Sequence, residues 1–585
     1  MAPPECLEAL EPPVSASPMS QGPRRLSVRP ESPQGGLISD RARASASAGV
    51  RPPGRALLII AAVALVVPVL TLRRAPTPYA DLQLYASIAR SVQVHGVGVP
   101  TETWYSPTAV DHVPFYGPVF FDLAALSMHF FGATLLSFRL VSILGTAVFL
   151  VATVVLAHTL GGVTAARPLW PLVLVALTPE IAEATPAGNM HILAVGLATL
   201  GLAVFVRGLN ASTRRLQHGV VAGILLTMAA LTTPRTYPVI FGFLCTGVAM
   251  PCMTQQERAA ARRPWLAAVL TVVAALLVWA MLSHGTPLRW ARYISYILLH
   301  EDTDVAVLPS AVRNWSFHWN AAITPIAALL GAFAVARALD RASAATSGSR
   351  HGPAAFALAC TWITGVVTFV GMNVTFTVTE YFALPLFAVV VIAGALWLRG
   401  GVLLQATVAL LIVCDLGVFA IQGLRTAATW ADRDPGLINT FVRRLVPPGS
   451  VVVGPEAPYF FPVERSGSRY RTVSARSWAD WARWVPTIEP DATTLVQRFA
   501  PEPAAQRFLI WPRDVDLPDP YACAAAHRIR AFQPPKNYLA WLGPFGHPND
   551  VGYPATVLYR LTPGCPTGYD PTAPQSSVAV PPSGR

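Results

Sequence analysis

"VPFYGPVFFDLAALSMHFFG", Val113 to Gly132, is apolar enough to cross a bilayer, and whether it does so decides which side every later loop faces. A spanning helix needs about 20 mainly apolar residues. Apart from the quoted stretch, candidate windows fall at 56–72, 138–160, 168–184, 189–206, 217–233, 236–250, 265–283, 319–337, 353–374, 381–398 and 402–422, about eleven in all. With the N-terminus in the cytoplasm, the loops left inside carry Arg167; Arg207, Arg214 and Arg215; Arg258, Arg262 and Arg263; Arg337, Arg341 and Arg350; and Arg399. All are basic, as the positive-inside rule requires. Counting Val113–Gly132 as a further span inverts the pattern and puts those arginines outside. Pro114, Pro118 and Asp122 also fit poorly in a lipid-exposed helix. The stretch is therefore expected to be interfacial or re-entrant, within one long outer loop over 73–137.

The rest of the composition agrees with a polytopic α-helical membrane protein. The 585 residues are 53% apolar and 13% charged, and the mean hydropathy is +0.46, more than a soluble chain of this size needs for a core. The net charge of +12 comes from arginine, with Lys536 the single lysine. These arginines flank apolar runs and form no stripe of the kind that binds nucleic acid, so the charge is read as topology. Residues 1–55, rich in Pro, Ser, Ala and Arg, are expected to be a disordered cytoplasmic tail. The tail is too long and polar for a signal-peptide n-region, so the first apolar run stays as an anchor. Arginine in place of lysine points to a GC-rich bacterial genome. The expected location is then the inner, plasma membrane, with the periplasm or cell exterior on the outer side.

After Gln422 the character changes. Stretches 451–456, 507–512, 527–532 and 555–561 read as short strands between Pro- and Gly-rich turns, with a helix at 436–445. This predicts an extracytoplasmic α/β domain over 425–565 and a disordered tail from Pro566. Cys523 and Cys565 are the cysteines of that domain, and an oxidising compartment lets them pair. No CxxC or Cys/His ligand spacing occurs, which argues against a structural zinc site.

Between the first span and the quoted stretch lies "TPYADLQLYASIAR", Thr77 to Arg90. Thr77 is a suitable N-cap and Pro78 a suitable first helical residue. Leu82, Tyr85, Ala86, Ala89 and Val92 share a helical face, so this helix is expected to lie along the membrane surface. Asp81 falls in its first turn, where the helix dipole favours the ionised carboxylate. From these residues alone two readings stand: a carboxylate that supports a helix N-terminus, and a functional acid.

The order of the outer motifs separates them. Asp81-x-x-x-Tyr85-Ala86, then "DHVPFYG" (111–117), "FGATLLSFRLVSILGT" (131–146), "LTTPRTYP" (231–238) and "TEYFALPLF" (379–387), resembles the GT-C class of glycosyltransferases. The protein O-mannosyltransferases and the lipid A aminoarabinose transferases are the families it is most similar to. The resemblance implies a GT-C-like transmembrane domain over 56–424. It implies transfer of a sugar, with inversion, from a polyprenyl-phosphate donor to a lipid, glycan or protein acceptor, with Asp81 as catalytic base. Many members carry a second acid directly after that base, where this chain has Leu82. Asp111, His112 and Pro114 match an acidic-basic-Pro-Pro stretch, with Val113 in place of its first proline; His112 would then contact donor phosphate or acceptor. Arg139 and Arg235 match family arginines, whose planar forks suit phosphate oxygens, although both can equally snorkel to the interface. Tyr381 matches a donor contact and would serve as well as an interfacial anchor. Where relatives have Arg-x-Asp ahead of the fourth span, this chain has Asn189-Met190-His191. That leaves Asp111, Glu183 and His191 as the candidates to hold a divalent metal ion or the acceptor, His191 being equally suited to a plain hydrogen bond. Two rival classes remain. A transporter or flippase for a lipid-linked sugar is expected to show internal repeats and midplane charges, and neither is evident. A catalytically silent scaffold is compatible with the missing second acid.

Overall fold

The computed structural model describes, in the main, residues 69–74, 80–96, 117–161, 188–211, 213–233, 236–247, 255–284, 426–431, 433–455, 458–472, 506–517, 519–532 and 553–562, with a few isolated positions between them. The membrane part is built from α1 (Ala80–His95), α2 (Pro118–Phe131), α3 (Leu135–Gly161), α4 (Met190–Asn210), α5 (Arg215–Ala230), α6 (Tyr237–Cys245) and α7 (Gln255–His284). Three helical stretches among the described residues are long and apolar enough to cross a membrane: Leu135–Thr153, Met190–Leu209 and Arg258–Leu282. They match the windows expected at 138–160, 189–206 and 265–283. The expected spans at 168–184, 319–337, 353–374, 381–398 and 402–422 lie wholly or mostly outside the described residues.

Helices α3, α4, α5 and α7 pack side by side in that order. The crossing of α3 and α4 is close because glycines face each other there: a Cβ on Gly145 would stand 2.6 Å from the Leu193 nitrogen, and one on Gly196 2.8 Å from the Gly145 oxygen. Small residues at the crossing are how helices approach where lipid removes the hydrophobic drive between them. The outward faces stay apolar, with Val151 58%, Leu270 65%, Val278 55% and Leu282 79% exposed. In water such faces would aggregate; in a bilayer they are solvated. Helix α7 carries Arg258, Arg262 and Arg263 in its first turns and Pro264 just after them, where the charged entry gives way to the apolar run.

Helix α2 has 14 residues, about 21 Å at 1.5 Å each, which is short of the roughly 30 Å hydrocarbon core. Its start is fixed by contact. Gly117 has an ordinary extended conformation, φ −67° and ψ 168°, so glycine is needed there for space: an added Cβ would meet the Leu231 carbonyl oxygen at 1.9 Å. The Val119 N–H donates to that same oxygen at 3.3 Å.

Helix α1 corrects one expectation. It was expected to lie on the membrane with one apolar face covered, yet every residue from Leu82 to Ala89 is buried, including the polar Gln83 and Ser87. The reason is coverage from several sides. Helix α2 packs along it, with the Tyr85 and Phe121 rings 6.2 Å apart, and the C-terminal domain rests on it as described below.

That domain holds α8 (Pro435–Leu445), β1 (Val451–Gly454), α9 (Phe460–Arg465), β2 (Arg469–Thr472), β3 (Arg507–Pro512), a 3₁₀ segment (Asp519–His527), β4 (Arg528–Phe532) and β5 (Thr556–Arg560). The sheet order is β2-β1-β3-β5-β4; β2, β1 and β3 run parallel, and β5 runs antiparallel to both β3 and β4. Strand β1 is buried throughout, as the all-apolar Val451–Val453 run requires of a strand covered on both faces. Edge strand β4 exposes Arg528 and Arg530, charges that discourage further strand pairing. Helix α8 starts on an N-cap, the Gly436 N–H donating to Asp434 Oδ1 at 2.8 Å, and buries Ile438 and Val442, one turn apart.

Candidate active site

Three sequence motifs meet where α1, α3 and α4 begin. Gly188, at φ +74° just before α4, leaves room for two side chains: a Cβ there would lie 2.9 Å from Leu82 Cδ1 and 3.0 Å from Phe138 Cδ1. Leu82 follows Asp81, Phe138 precedes Arg139, and Gly188 precedes Asn189. The first turn of α1, which carries Asp81, is thereby placed against the starts of both long helices.

The start of α4 is tied down on each side. Asn189 caps it, its Oδ1 accepting from the His191 N–H at 2.8 Å, while Ser142 of α3 donates its hydroxyl to the Asn189 carbonyl at 3.0 Å. His191 is 3% exposed. Its ring sits in the first turn of α4, at the end of the bundle where α1 begins. Arg139 is fully buried, with Nη1 donating to the Leu72 carbonyl at 2.5 Å. This links the end of the first apolar run to the second span. The pairing of α2 with Leu231 brings Gly117 and Val119 beside the end of α5, where Thr232, Thr233 and Thr236 are buried.

The C-terminal domain closes over this end of the bundle. Phe461 of α9 faces Phe138 with ring centroids 6.2 Å apart. Glu464 of α9 pairs with Arg90 of α1, Oε2 to Nε 3.7 Å. Arg74 pairs with the N-cap Asp434 at 3.1 Å and lies 4.7 Å from the centroid of the Trp430 ring, a cation–π contact. Burial pushes the Glu464 carboxyl up to about 7, with the Arg90 guanidinium and the Tyr470 N–H acting against it. Burial likewise raises the Tyr553 hydroxyl above the usual tyrosine range, opposed by the charge of Arg139. Tyr553 therefore stays neutral next to a buried cation.

Asp81 is placed by its backbone in the first turns of α1. Asp111, His112, Glu183, Arg235, Tyr381 and Cys565 lie outside the described residues. Cys523 is disulfide-bonded, to a partner outside the described residues. Among the described residues no three His, Cys, Asp or Glu side chains gather in a way that could hold a metal ion; of the metal candidates only His191 is described. Sequence reasoning missed Gln83, Arg90 and Glu464. Gln83 and Arg90 share a side of α1 outside the apolar face, a side that a reading confined to a membrane surface assigns to water.

Neither a protein-family model nor any curated protein matches the chain. Among solved structures it is similar to ArnT from Cupriavidus metallidurans bound to undecaprenyl phosphate, with 13% identity and a TM-score of 0.51 over 87% of this chain and 98% of that one. It is similar to the apo state of the same protein at 14% identity and a TM-score of 0.51, over 86% and 97%. That likeness spans the membrane helices and the C-terminal domain together: the chain has the fold of the GT-C glycosyltransferases, the class its outer motifs resemble.

Proposed function

We propose that this protein is a membrane glycosyltransferase that moves a sugar from a polyprenyl-phosphate donor to an acceptor hydroxyl on the outer side of the plasma membrane. The observation that carries the reading is the placement of Asp81, at the start of a buried helix where α3, α4 and the C-terminal domain converge. The fold agrees, since its neighbour ArnT spans nearly the whole chain and binds undecaprenyl phosphate. Sidedness agrees too. Arg207 at the end of α4, Arg214 and Arg215 at the start of α5, and Arg258, Arg262 and Arg263 at the start of α7 all lie at the other end of the bundle. By the positive-inside rule that end is cytoplasmic, with the N-terminal tail, and the Asp81 end faces outward.

In this reading Asp81 takes the proton from the acceptor hydroxyl as its oxygen bonds to the anomeric carbon. The bond from that carbon to the phosphate oxygen breaks, and polyprenyl phosphate leaves with the electron pair, inverting the anomeric centre. His112, Arg235 and Tyr381 are the proposed contacts to the donor head. Arg139, donating to Leu72, holds the helix starts that position α1. Arg235, Arg139 or a divalent ion held by Asp111, Glu183 and His191 would neutralise charge on the leaving phosphate.

General-base catalysis is worth about 10² to 10⁴ in rate. Asp81→Asn is expected to fold normally and lose transfer on that scale, measured with radiolabelled undecaprenyl-phosphate sugars and a membrane extract. Near-normal turnover would remove the base. Lipid movement without transfer by the wild type would point to a flippase, and neither activity to a scaffold.

A further inference from the structure

Gln83 lies two residues after Asp81, is fully buried, and has neither Nε2 nor Oε1 hydrogen-bonded. A side-chain amide brings two donors and an acceptor, and burying them unpaired works against folding. Neighbouring Ser87 avoids the problem by donating to the Leu84 carbonyl of its own helix at 2.8 Å. Gln83 has no such partner, and Ser91 Oγ, on a residue 2% exposed, has none either. A folded protein keeps an orphan amide of this kind where another molecule completes it.

The neighbours of Gln83 say which molecule. Gln83, Ser87, Arg90 and Ser91 fall on one face of α1 at spacings of four, seven and eight residues. Arg90 on that face reaches Glu464 of the C-terminal domain at 3.7 Å. The orphan amide therefore lies along the seam between α1 and that domain. At about 100° per residue, Asp81 falls about 200° round the helix from Gln83, within the same turn. Leu82 of that turn meets Phe138 and Gly188 at the starts of α3 and α4. The membrane helices, where a lipid-linked donor enters, and the domain seam are thus served by different sides of one helical turn.

We propose that Gln83 binds the acceptor, its amide hydrogen-bonding hydroxyl groups of a carbohydrate in the seam between α1 and the C-terminal domain, while a further hydroxyl of the same molecule reaches Asp81. The inference rests on the glycosyltransferase reading and adds the acceptor class. An acceptor with a single hydroxyl has nothing to offer both sides of the turn; a glycan has.

The test uses full-length protein in lipid nanodiscs, radiolabelled undecaprenyl-phosphate sugars as donors and a membrane glycan extract as acceptor. Gln83→Leu, similar in volume and without the polar atoms, is expected to raise the half-saturating amount of extract tenfold or more, the loss of one or two hydrogen bonds. The half-saturating donor concentration stays unchanged. Because the variant removes an unpaired buried group, its melting temperature without substrate is equal to or above that of the wild type. Wild-type dependence on the extract would overturn the inference. So would a variant that melts lower, fails to fold, or loses affinity for both substrates alike, because each makes the amide structural. A wild type that transfers from no donor refutes the glycosyltransferase reading itself, and the inference with it, a result distinct from any seen in the variant alone.

Discussion

Glu464→Gln separates the charge of the domain seam from its shape. Glu464 Oε1 accepts from the Tyr470 N–H at 3.2 Å, its other oxygen faces Arg90 at 3.7 Å, and its side chain is 8% exposed. Glutamine retains the acceptor and the volume and removes the ionisation. In the wild type, burial raises the carboxyl from its ordinary 4.5 to about 7, so the folded protein holds a proton that the unfolded chain releases. The sign follows from proton linkage. Below about pH 4.5 both states are protonated, and the group makes no difference between them. Between 4.5 and 7 the unfolded chain binds fewer protons, so stability falls as pH rises; above 7 the loss is complete. At about 1.36 kcal/mol per pH unit, the shift amounts to about 3 kcal/mol. The glutamine variant has no such slope. Its melting temperature, followed by tryptophan fluorescence of full-length protein in nanodiscs, should gain on the wild type by about 6–12 °C between pH 4.5 and 8, taking about 2–4 °C per kcal/mol. Parallel curves across that range, or a gap opening the other way, would show that Arg90 compensates the buried carboxylate fully and would refute the burial argument.

Two further outcomes follow from close contacts and from the disulfide. Gly117→Ala drives a Cβ into the Leu231 carbonyl, and because both partners are backbone, α2 must move. The expected cost is about 1–3 kcal/mol, seen as a lowered melting temperature together with reduced transfer, since α2 covers α1. An alanine variant with wild-type stability would place Leu231 elsewhere. Cys523 is disulfide-bonded, and Cys565 is its proposed partner. Peptide mapping of the unreduced protein should return that pair, and a bridge from Cys523 to any other cysteine would replace it.

Much of this architecture is legible in the sequence because the signals are local. The α8 start is written in Asp434-Pro435, the buried strand β1 in three consecutive valines, and β3 and β5 in apolar runs between turns. Strand β2, "RYRT", was missed because Tyr470 is its single large apolar residue, and pairing with β1 supplies the rest of its stability. The charge pattern argues against α2 as a span, and its 14 residues are too few to cross. The site was legible only in part. Periodicity marked the apolar face of α1 but is blind to what covers the polar one, since the partner of Arg90 lies more than 350 residues downstream and the Gln83 amide has no hydrogen-bond partner among the described residues. Arg139 matches a family arginine by its place in a motif, which suits a phosphate contact or snorkelling to the interface. Its bond to the Leu72 carbonyl is a long-range pairing that no spacing rule contains.

The arginines at the Asp81 end are the exceptions that a topology based on charge has to explain. Arg74, Arg90 and Arg139 all lie on the side that the positive-inside rule would leave poor in cations. Each has a partner that accounts for it: Asp434 and Trp430 for Arg74, Glu464 for Arg90, and the Leu72 carbonyl for Arg139. Two of the three bind the C-terminal domain. These pairs join that domain to the helix bearing Asp81 and to the chain just ahead of it. For the proposed transfer, water at the Asp81 turn would compete with the acceptor hydroxyl for the anomeric carbon and weaken charge contacts to the donor phosphate. In the proposed reading the domain is a wall of the site, and the contacts that bury α1 would keep water from the Asp81 turn, so that an acceptor hydroxyl takes the sugar in place of water's.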